Sequence, residues 1–429
     1  MTIKNIMLDI NKIRNETDMV KKALLKRGIN KKFLEQTIKQ VLDFDEKRRK
    51  LLQKTEILKA SRNKYSKTKP DKGIISQMKK IGEEIKDFDE QIRLIETEFN
   101  SKLSELPNIP LDDVPVGSKE NNQVLKTFGK KPAFKFKAKD HLQLAAELDI
   151  IDYERGAKIA GSGFWVYKDL GAILEWALLN YLIDFHKKNN YTFLIPPYLL
   201  TEESAYTSGH LPKFREDLYW TQDKLCLNAT SEMMILNFHR DEILAENELP
   251  KKYFAYSTCF RREAGSYRTE ERGMVRGHQF NKIEMFHFAK PDKSETAFKE
   301  LRENAEKLTA GLDLHFQTVL LAAADASAAM AKTVDIEVFI PSMNIYKEVS
   351  SVSNALDYQA RRGKIRFKNQ KTGKNEFVHT LNASGLATSR LVPAILEQFQ
   401  QKDGSVLIPK VLQKYCRFKK IANKLKMSP

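Results

Sequence analysis

Between residues 73 and 105 the apolar positions follow a strict repeat: Ile74, Met78, Ile81, Ile85, Phe88, Ile92, Ile95 and Phe99, separated alternately by four and three residues. That spacing keeps one stripe of a helix turned toward a partner, the seam of a coiled coil. The preceding segment carries a weaker seam of the same kind at Val41, Phe44, Leu51, Leu58 and Tyr65, interrupted by Arg48, Thr55 and Arg62. Lys69-Pro70-Asp71-Lys72-Gly73 lies between the two and suits a hairpin turn. Two helices of about 30 residues each then predict an antiparallel arm about 45–50 Å long at 1.5 Å rise per residue. The same seams would also serve a coiled coil between chains, but the turn and the matched spacing favour pairing within one chain.

After the arm, Leu106-Pro107-Asn108-Ile109-Pro110 and Val114-Pro115-Val116-Gly117 lead into a polar stretch that ends near Lys139 and has no apolar period, which predicts a linker over 111–139. From 140 to 429, helical patterns (Leu170 to His186, Ser294 to Leu312) mix with strand alternation (Lys252 to Glu263, His278 to Phe288, Glu376 to Leu381). Helices interspersed with hairpin-like strand pairs predict an α+β domain built on an antiparallel sheet. The expected organisation is an N-terminal domain over 1–110 containing the arm at about 31–105, the linker, and a second domain over 140–429. No internal repeat and no GxGxxG or GxxxxGK[ST] loop occurs, which argues against a Rossmann or P-loop site.

Composition narrows the class. The chain has 429 residues, 41% apolar and 30% charged, a globular balance. Its longest apolar run, around Val319–Ala324, is far short of the ~20 residues of a membrane span, so no membrane role is expected. The N-terminus has no secretory pattern. The three cysteines, Cys226, Cys259 and Cys416, are too dispersed for a metal knuckle and suit a reducing, cytoplasmic setting. The net charge of +17 points to a polyanionic partner. It is unevenly spread: +4 over 1–30, +8 over 31–72, −3 over 73–105, +1 over 106–409 and +7 over 410–429. The ascending arm helix therefore has the sign a phosphate-reading element needs. The C-terminal run reads either as solvated surface or as a further phosphate contact.

The densest chemistry lies in the near-neutral middle. Residues 259–284 read as a strand, a Gly-rich basic loop and a returning strand, with Arg261 and Glu263 on one face and Phe280, Lys282 and Glu284 on one face of the partner. One surface would then hold a guanidinium for phosphate, carboxylates for an ammonium group and an aromatic platform for a base. Any single Arg–Glu pair there could equally be a cross-strand ion pair; the joint pattern is what carries the reading. Lys347-Glu348-Val349-Ser350-Ser351 offers oxygens for a hard cation beside phosphates. Leu381 to Arg390 reads as a strand that ends near Gly385 and opens a helix, with Arg390 able to reach an anion near the helix start.

With these residues in view, the sequence resembles the seryl-tRNA synthetases, a class II aminoacyl-tRNA synthetase family of bacterial type here, along essentially its whole length. Residues 259–284 look like motif 2 in its seryl form (F-R-x-E-A-G … R-x-H-Q-F-x-K-x-E), 381–397 like motif 3 and Leu174 to Pro197 like motif 1. Thr230-Ser231-Glu232 resembles the T-x-E serine motif. The segments 348–354, 357–362 and 207–213, Met7-Leu-Asp-Ile and Arg27-Gly28 are also seryl-type.

The resemblance implies a class II antiparallel sheet flanked by helices, a homodimer formed through motif 1, and an N-terminal arm that binds tRNA(Ser), with the tRNA for selenocysteine where one is present. It implies ATP and Mg²⁺, and activation of L-serine to seryl-adenylate before transfer. Arg261, Glu263 and Arg390 would be catalytic. Thr230, Ser231, Glu232, Glu263, Glu284, Asn382 and Ser384 would bind serine. Arg261, Arg262, Glu263, Arg276, Phe280, Glu348, Val349, Ser350, Ser351 and Arg390 would bind ATP, with Glu348 and Ser351 holding Mg²⁺.

Three positions depart from the family pattern: Ala383 for a usual Gly, Gly163 for a common Arg, and Asn228-Ala229 before Thr230. The alternative is a paralogue that binds RNA or regulates without charging. Such a protein should have lost some of Arg261, Glu263, Glu284, Glu348 or Arg390, and all five are present. A ligase that loads a carrier protein would need no arm.

Overall fold

The computed structural model describes residues 8–65, 71–264 and 273–423. Outside it lie the tip of the expected hairpin turn, Met7 of the opening motif, the motif 2 loop over 265–272 and the last cations of the C-terminal run. The chain divides at Asp112/Asp113 into two compact units.

The first unit contains helices α1 (Ile10–Asn15), α2 (Thr17–Leu25), α3 (Lys31–Tyr65) and α4 (Lys72–Ser104). Asp71 starts α4 as its N-cap, its carboxylate accepting from the Ile74 amide at 2.7 Å. Ile81, Ile85, Ile92 and Phe99 of the predicted seam are buried. Pairing is within the chain and antiparallel: Arg48 lies 3.8 Å from Glu96, and further along α3 Lys59 lies 3.5 Å from Asp89, earlier in α4. The weaker seam of α3 is stabilised from outside the heptad. Asp45 is fully buried and receives Arg14 of α1 at 2.8 Å, Arg49 at 3.0 Å and Arg48 at 3.6 Å.

The second unit is an eight-stranded sheet. Its strands in chain order are β1 (Gln123–Phe128), β2 (Thr192–Leu194), β3 (Lys251–Phe260), β4 (Gln279–Ala289), β5 (Phe316–Leu320), β6 (Lys332–Ile340), β7 (Ile345–Leu356) and β8 (His379–Ala387). Across the sheet they run β1-β5-β6-β7-β8-β4-β3-β2, antiparallel except for the β2–β3 pair at one edge. Helices α5 (Leu170–Lys188), α6 (Ser294–Gly311) and α7 (Thr388–Gln398) pack on the sheet through Leu174, Leu178, Phe298, Leu301, Leu391 and Ile395, all in one buried core.

Two expectations change here. The predicted linker is not a free connection: 123–128 forms the edge strand β1, and the Ala323 and Ala324 amides donate to the Pro115 and Gly117 carbonyls at 2.9 Å. An edge strand with one paired side needs no strong apolar alternation, and this one shows none. Nor is the C-terminal run simply solvated. Lys420–Ile421 pairs with Val406–Leu407, Leu412 and Ile421 are buried, and the Tyr415 hydroxyl donates to Asp184 of α5 at 2.7 Å.

Two of the three departures also find their reasons. Ala383 sits in the extended ladder of β8 opposite Met285, so no glycine conformation is required. Gly163 has φ +80°, and a Cβ there would come within 2.6 Å of the His278 ring.

Candidate active site

The site lies where β3, β4, β7 and β8 run side by side. Antiparallel register sets Cys259 opposite Phe280 and Ala255 opposite Glu284, while Ser384 of β8 faces Glu284 from the other side. Alternation on β4 then puts Phe280, Lys282 and Glu284 on one surface, as the sequence predicts.

Its centre is a buried ion pair. Lys282 lies 2.8 Å from Glu284 and donates to the Thr230 hydroxyl at 2.6 Å. Glu284 also accepts from the Asn382 amide at 3.0 Å and the Ser384 hydroxyl at 3.4 Å. Across the cavity, Glu232 accepts from the Gln359 amide at 2.6 Å, and Gln359 is itself fixed by the Thr380 hydroxyl at 2.7 Å. Burial, and then the neighbouring Glu284 charge, push the Glu232 carboxyl up to about 7. The ion pair, Thr230, Asn382, Ser384 and Glu232 border a cavity of about 240 Å³ together with Arg261, Glu348, Ser351, His210 and Phe214. Burial lowers the His210 imidazole to about 3, helped by Arg261, Lys282 and Arg362, so the ring is neutral.

An adjoining pocket of about 40 Å³ holds the nucleotide-type residues Arg261, Glu263, Arg276, Phe280, Glu348 and Arg390. The Arg261 guanidinium lies 5.2 Å from the Phe280 ring centroid. Arg276 pairs with Glu263, and Arg390 lies 3.3 Å from the Glu348 carboxylate while donating to its carbonyl at 2.7 Å. Arg261 and Glu348 border both spaces, so the two pockets meet at these residues.

Glu348 and Ser351 both face the cavity although three residues apart. The β6–β7 register explains it: Asp335 faces Ser351 and Ile336 faces Ser350, but Glu337 faces Glu348, so Val349 is the extra residue of a bulge. Asp335 stands beside them with one buried carboxylate oxygen unpartnered. Its carboxyl is raised well above the usual range by burial and by Glu348. Glu337 is also raised, chiefly by burial. Among the described residues no three acids close into a metal cage. Few protein oxygens beside a phosphate pocket is the donor set Mg²⁺ favours, so the residues fit that ion.

Four of the expected site residues line neither space. Ser231 is buried with its hydroxyl 2.7 Å from that of Ser257, and Val349 is packed into the core. Ser350 turns behind the sheet and donates to the Ser384 carbonyl at 2.6 Å. Arg262 is exposed and donates to the Glu216 carbonyl at 3.3 Å. Strand position and the bulge direct Val349 and Ser350 away, whereas Ser231 precedes the helix that starts at Glu232 and Arg262 lies past the end of β3. Conversely, Lys282, His210, Phe214, Gln359 and Asp335 were not among the expected site residues. Lys282 had a signal in its shared face with Phe280 and Glu284, and His210 and Gln359 lie in the seryl-type segments 207–213 and 357–362; Phe214 and Asp335 had none.

The chain matches the family described as "Seryl-tRNA synthetase N-terminal domain" over residues 7–110 and the one described as "tRNA synthetase class II core domain (G, H, P, S and T)" over 216–399. It is 52% identical to "Serine--tRNA ligase 2" of Clostridium acetobutylicum, covering 95% of this chain and 99% of that one. It is 44% identical to "Serine--tRNA ligase" of Exiguobacterium sibiricum, covering 95% and 98%. Among solved structures, seryl-tRNA synthetase from Pyrococcus horikoshii complexed with ATP superposes with a TM-score of 0.90 at 32% identity, covering 97% of this chain and 100% of that one. With relatives that span nearly the whole chain at 52% and 44% identity, a matching N-terminal domain over 7–110 and a superposing fold, this protein belongs to the seryl-tRNA synthetase family.

Proposed function

We propose that this protein is a serine–tRNA ligase: it activates L-serine with ATP to seryl-adenylate and passes the seryl group to tRNA(Ser). The observation that carries the reading is the continuity of the two pockets through Arg261 and Glu348.

In the first step a serine carboxylate oxygen attacks the α-phosphorus, a new C–O–P linkage forms, and pyrophosphate leaves with the electron pair of the broken P–O bond. Glu232 and Glu284 offer acceptors for the serine ammonium and hydroxyl, and Thr230, Asn382 and Ser384 close the pocket around them. A hydroxyl-directed site of this kind rejects alanine by leaving buried polar groups unpaired. Arg261, at the junction, is placed to meet the charge that grows on the α-phosphoryl oxygens, where preorganised cations contribute most. Phe280 and the Arg390 plane offer the two faces of an adenine sandwich, and Arg276 takes the outer phosphates. Glu348 and Ser351, with Asp335 beside them, would hold Mg²⁺, which when bound supplies neutralisation of phosphoryl charge. In the second step a ribose hydroxyl of the tRNA end attacks the seryl carbonyl and AMP leaves.

The basic α3 of the 1–110 domain suits the tRNA backbone. Exposed Ile173 (40%), Trp176 (57%) and Ile195 (74%) in the motif 1 region suit a second copy of the chain. Three buried, unbridged cysteines fit a cytoplasmic setting. Serine-dependent ATP–pyrophosphate exchange, followed by charging of tRNA(Ser), tests the reading. Failure of exchange with serine and Mg²⁺ would refute it, and exchange without charging would favour the regulatory paralogue. Removal of the arm is expected to leave exchange intact and abolish charging.

A further inference from the structure

Glu175 of α5 is 3% exposed and takes no part in either pocket, yet it touches the rear of both walls of the nucleotide pocket. A single carboxylate oxygen, Oε1, accepts from the Asn281 side-chain amide at 2.8 Å and from the Thr388 hydroxyl at 2.5 Å. Asn281 belongs to β4 and stands between Phe280 and Lys282; Thr388 is the first residue of α7 and stands between Ala387 and Ser389, next to Arg390. Those five neighbours line the pocket, whereas Asn281 and Thr388 point behind it.

The main chain alone does not hold these walls together. The β8–β4 ladder is irregular between Ser384 and Ala387, with Ala387 meeting Lys282 only after the break. At that place side chains take over: besides the two bonds to Glu175, the Thr388 hydroxyl lies 3.1 Å from the Asn281 carbonyl. The Asn281 amide is oriented for the purpose, because its oxygen accepts from Thr258 and Tyr256 at 3.1 Å each, leaving the nitrogen to face Glu175. The second Glu175 oxygen is buried as well, and the Tyr167 hydroxyl stands beside this carboxylate. Burying a carboxylate here carries a desolvation cost that a purely space-filling residue would avoid.

We propose that Glu175 is a positioning residue for the nucleotide: by clamping Asn281 and Thr388 from behind, it sets the gap between Phe280 and Arg390 and thereby the affinity for ATP. Burial raises its carboxyl above the usual range, which accords with an oxygen that works as an acceptor and not as a counter-ion. The proposal rests on the nucleotide reading of the pocket given above.

Three variants of the full-length protein test it. Glu175→Leu fills the volume and removes the acceptor, Glu175→Gln keeps one acceptor oxygen, and Thr388→Val removes one donor. ATP affinity is measured directly by calorimetry, KM for ATP and for serine by pyrophosphate exchange, and integrity by thermal unfolding. Loss of two hydrogen bonds predicts about a tenfold weakening for ATP in Glu175→Leu and about threefold in Thr388→Val, with KM for serine within about twofold of the parent. Glu175→Gln is expected to bind ATP nearly as the parent does. A lowered melting temperature with unchanged ATP affinity, or parallel losses for ATP and serine, would reduce Glu175 to a structural residue. If Glu175→Leu does not fold, unchanged ATP affinity in Thr388→Val overturns the proposal by itself. A parent protein that binds ATP but shows no serine-dependent exchange would instead refute the proposed function.

Discussion

Glu232 is the residue at which pH and substrate meet. Its carboxyl is raised from 4.5 to about 7, first by burial and then by Glu284. Between those values the folded protein holds a proton that the unfolded chain releases, so stability falls as pH rises through this window and levels off above it. Glu232→Gln should remove that slope: its melting-temperature advantage over the parent grows from about pH 5 to about pH 8, and a constant difference would show that Glu232 does not titrate there. The serine ammonium prefers the ionised carboxylate, so KM for serine should fall as pH rises through about 7 in exchange assays. Arg261 governs the chemical step instead. Arg261→Lys keeps a charge but loses the planar fork, and kcat for exchange should drop about 100-fold or more with a smaller change in KM for serine. Of these residues, Arg261, Glu232 and Glu284 could be picked from the sequence because their motifs are contiguous. His210 and Gln359 lie in seryl-type segments, but only the fold sets His210 at the cavity and Gln359 on Glu232.

At the scale of elements, regular periods were legible and their interruptions were not. The α4 seam appears in the structure position by position, since a heptad repeat states directly which side chains face a partner. Asp45 gives no sign in the sequence, because an acid beside the seam has no apolar signal, although it is a buried hub for Arg14 of α1 and Arg48 and Arg49 of α3. Asp45→Asn should cost about 2 kcal/mol in urea unfolding of the helical signal, since Arg14 and Arg49 would lose their counter-charge and Arg48 would keep only Glu96. An unchanged midpoint would show that the cluster is only surface pairing. The bulge at Val349 is a second interruption. Period-two alternation would put Glu348 with Ser350, and the extra residue pairs Glu348 with Ser351 instead.

For the whole molecule, the motif 1 face carries the clearest consequence. Trp176 and Ile173 stand exposed on α5, and sedimentation should find a dimer that Trp176→Glu weakens; a monomeric parent protein would remove that reading. The folded C-terminal run also changes how its charge is tested. Deleting 417–429 would remove Ile421 and its pairing with 406–407 and lower the melting temperature, so substitution of exposed lysines is the cleaner probe of tRNA contact. The sequence by itself determined the arm, the α+β class, the near-neutral middle between basic ends, and the contiguous motifs, because periodicity, charge and short motifs are local properties. The tertiary structure alone decided that 123–128 is a strand, that Lys282 is buried between Thr230 and Glu284, and that Glu175 spans the break between β8 and β4. Those outcomes depend on register, bulges and burial, which arise only when segments far apart in the chain are packed against one another.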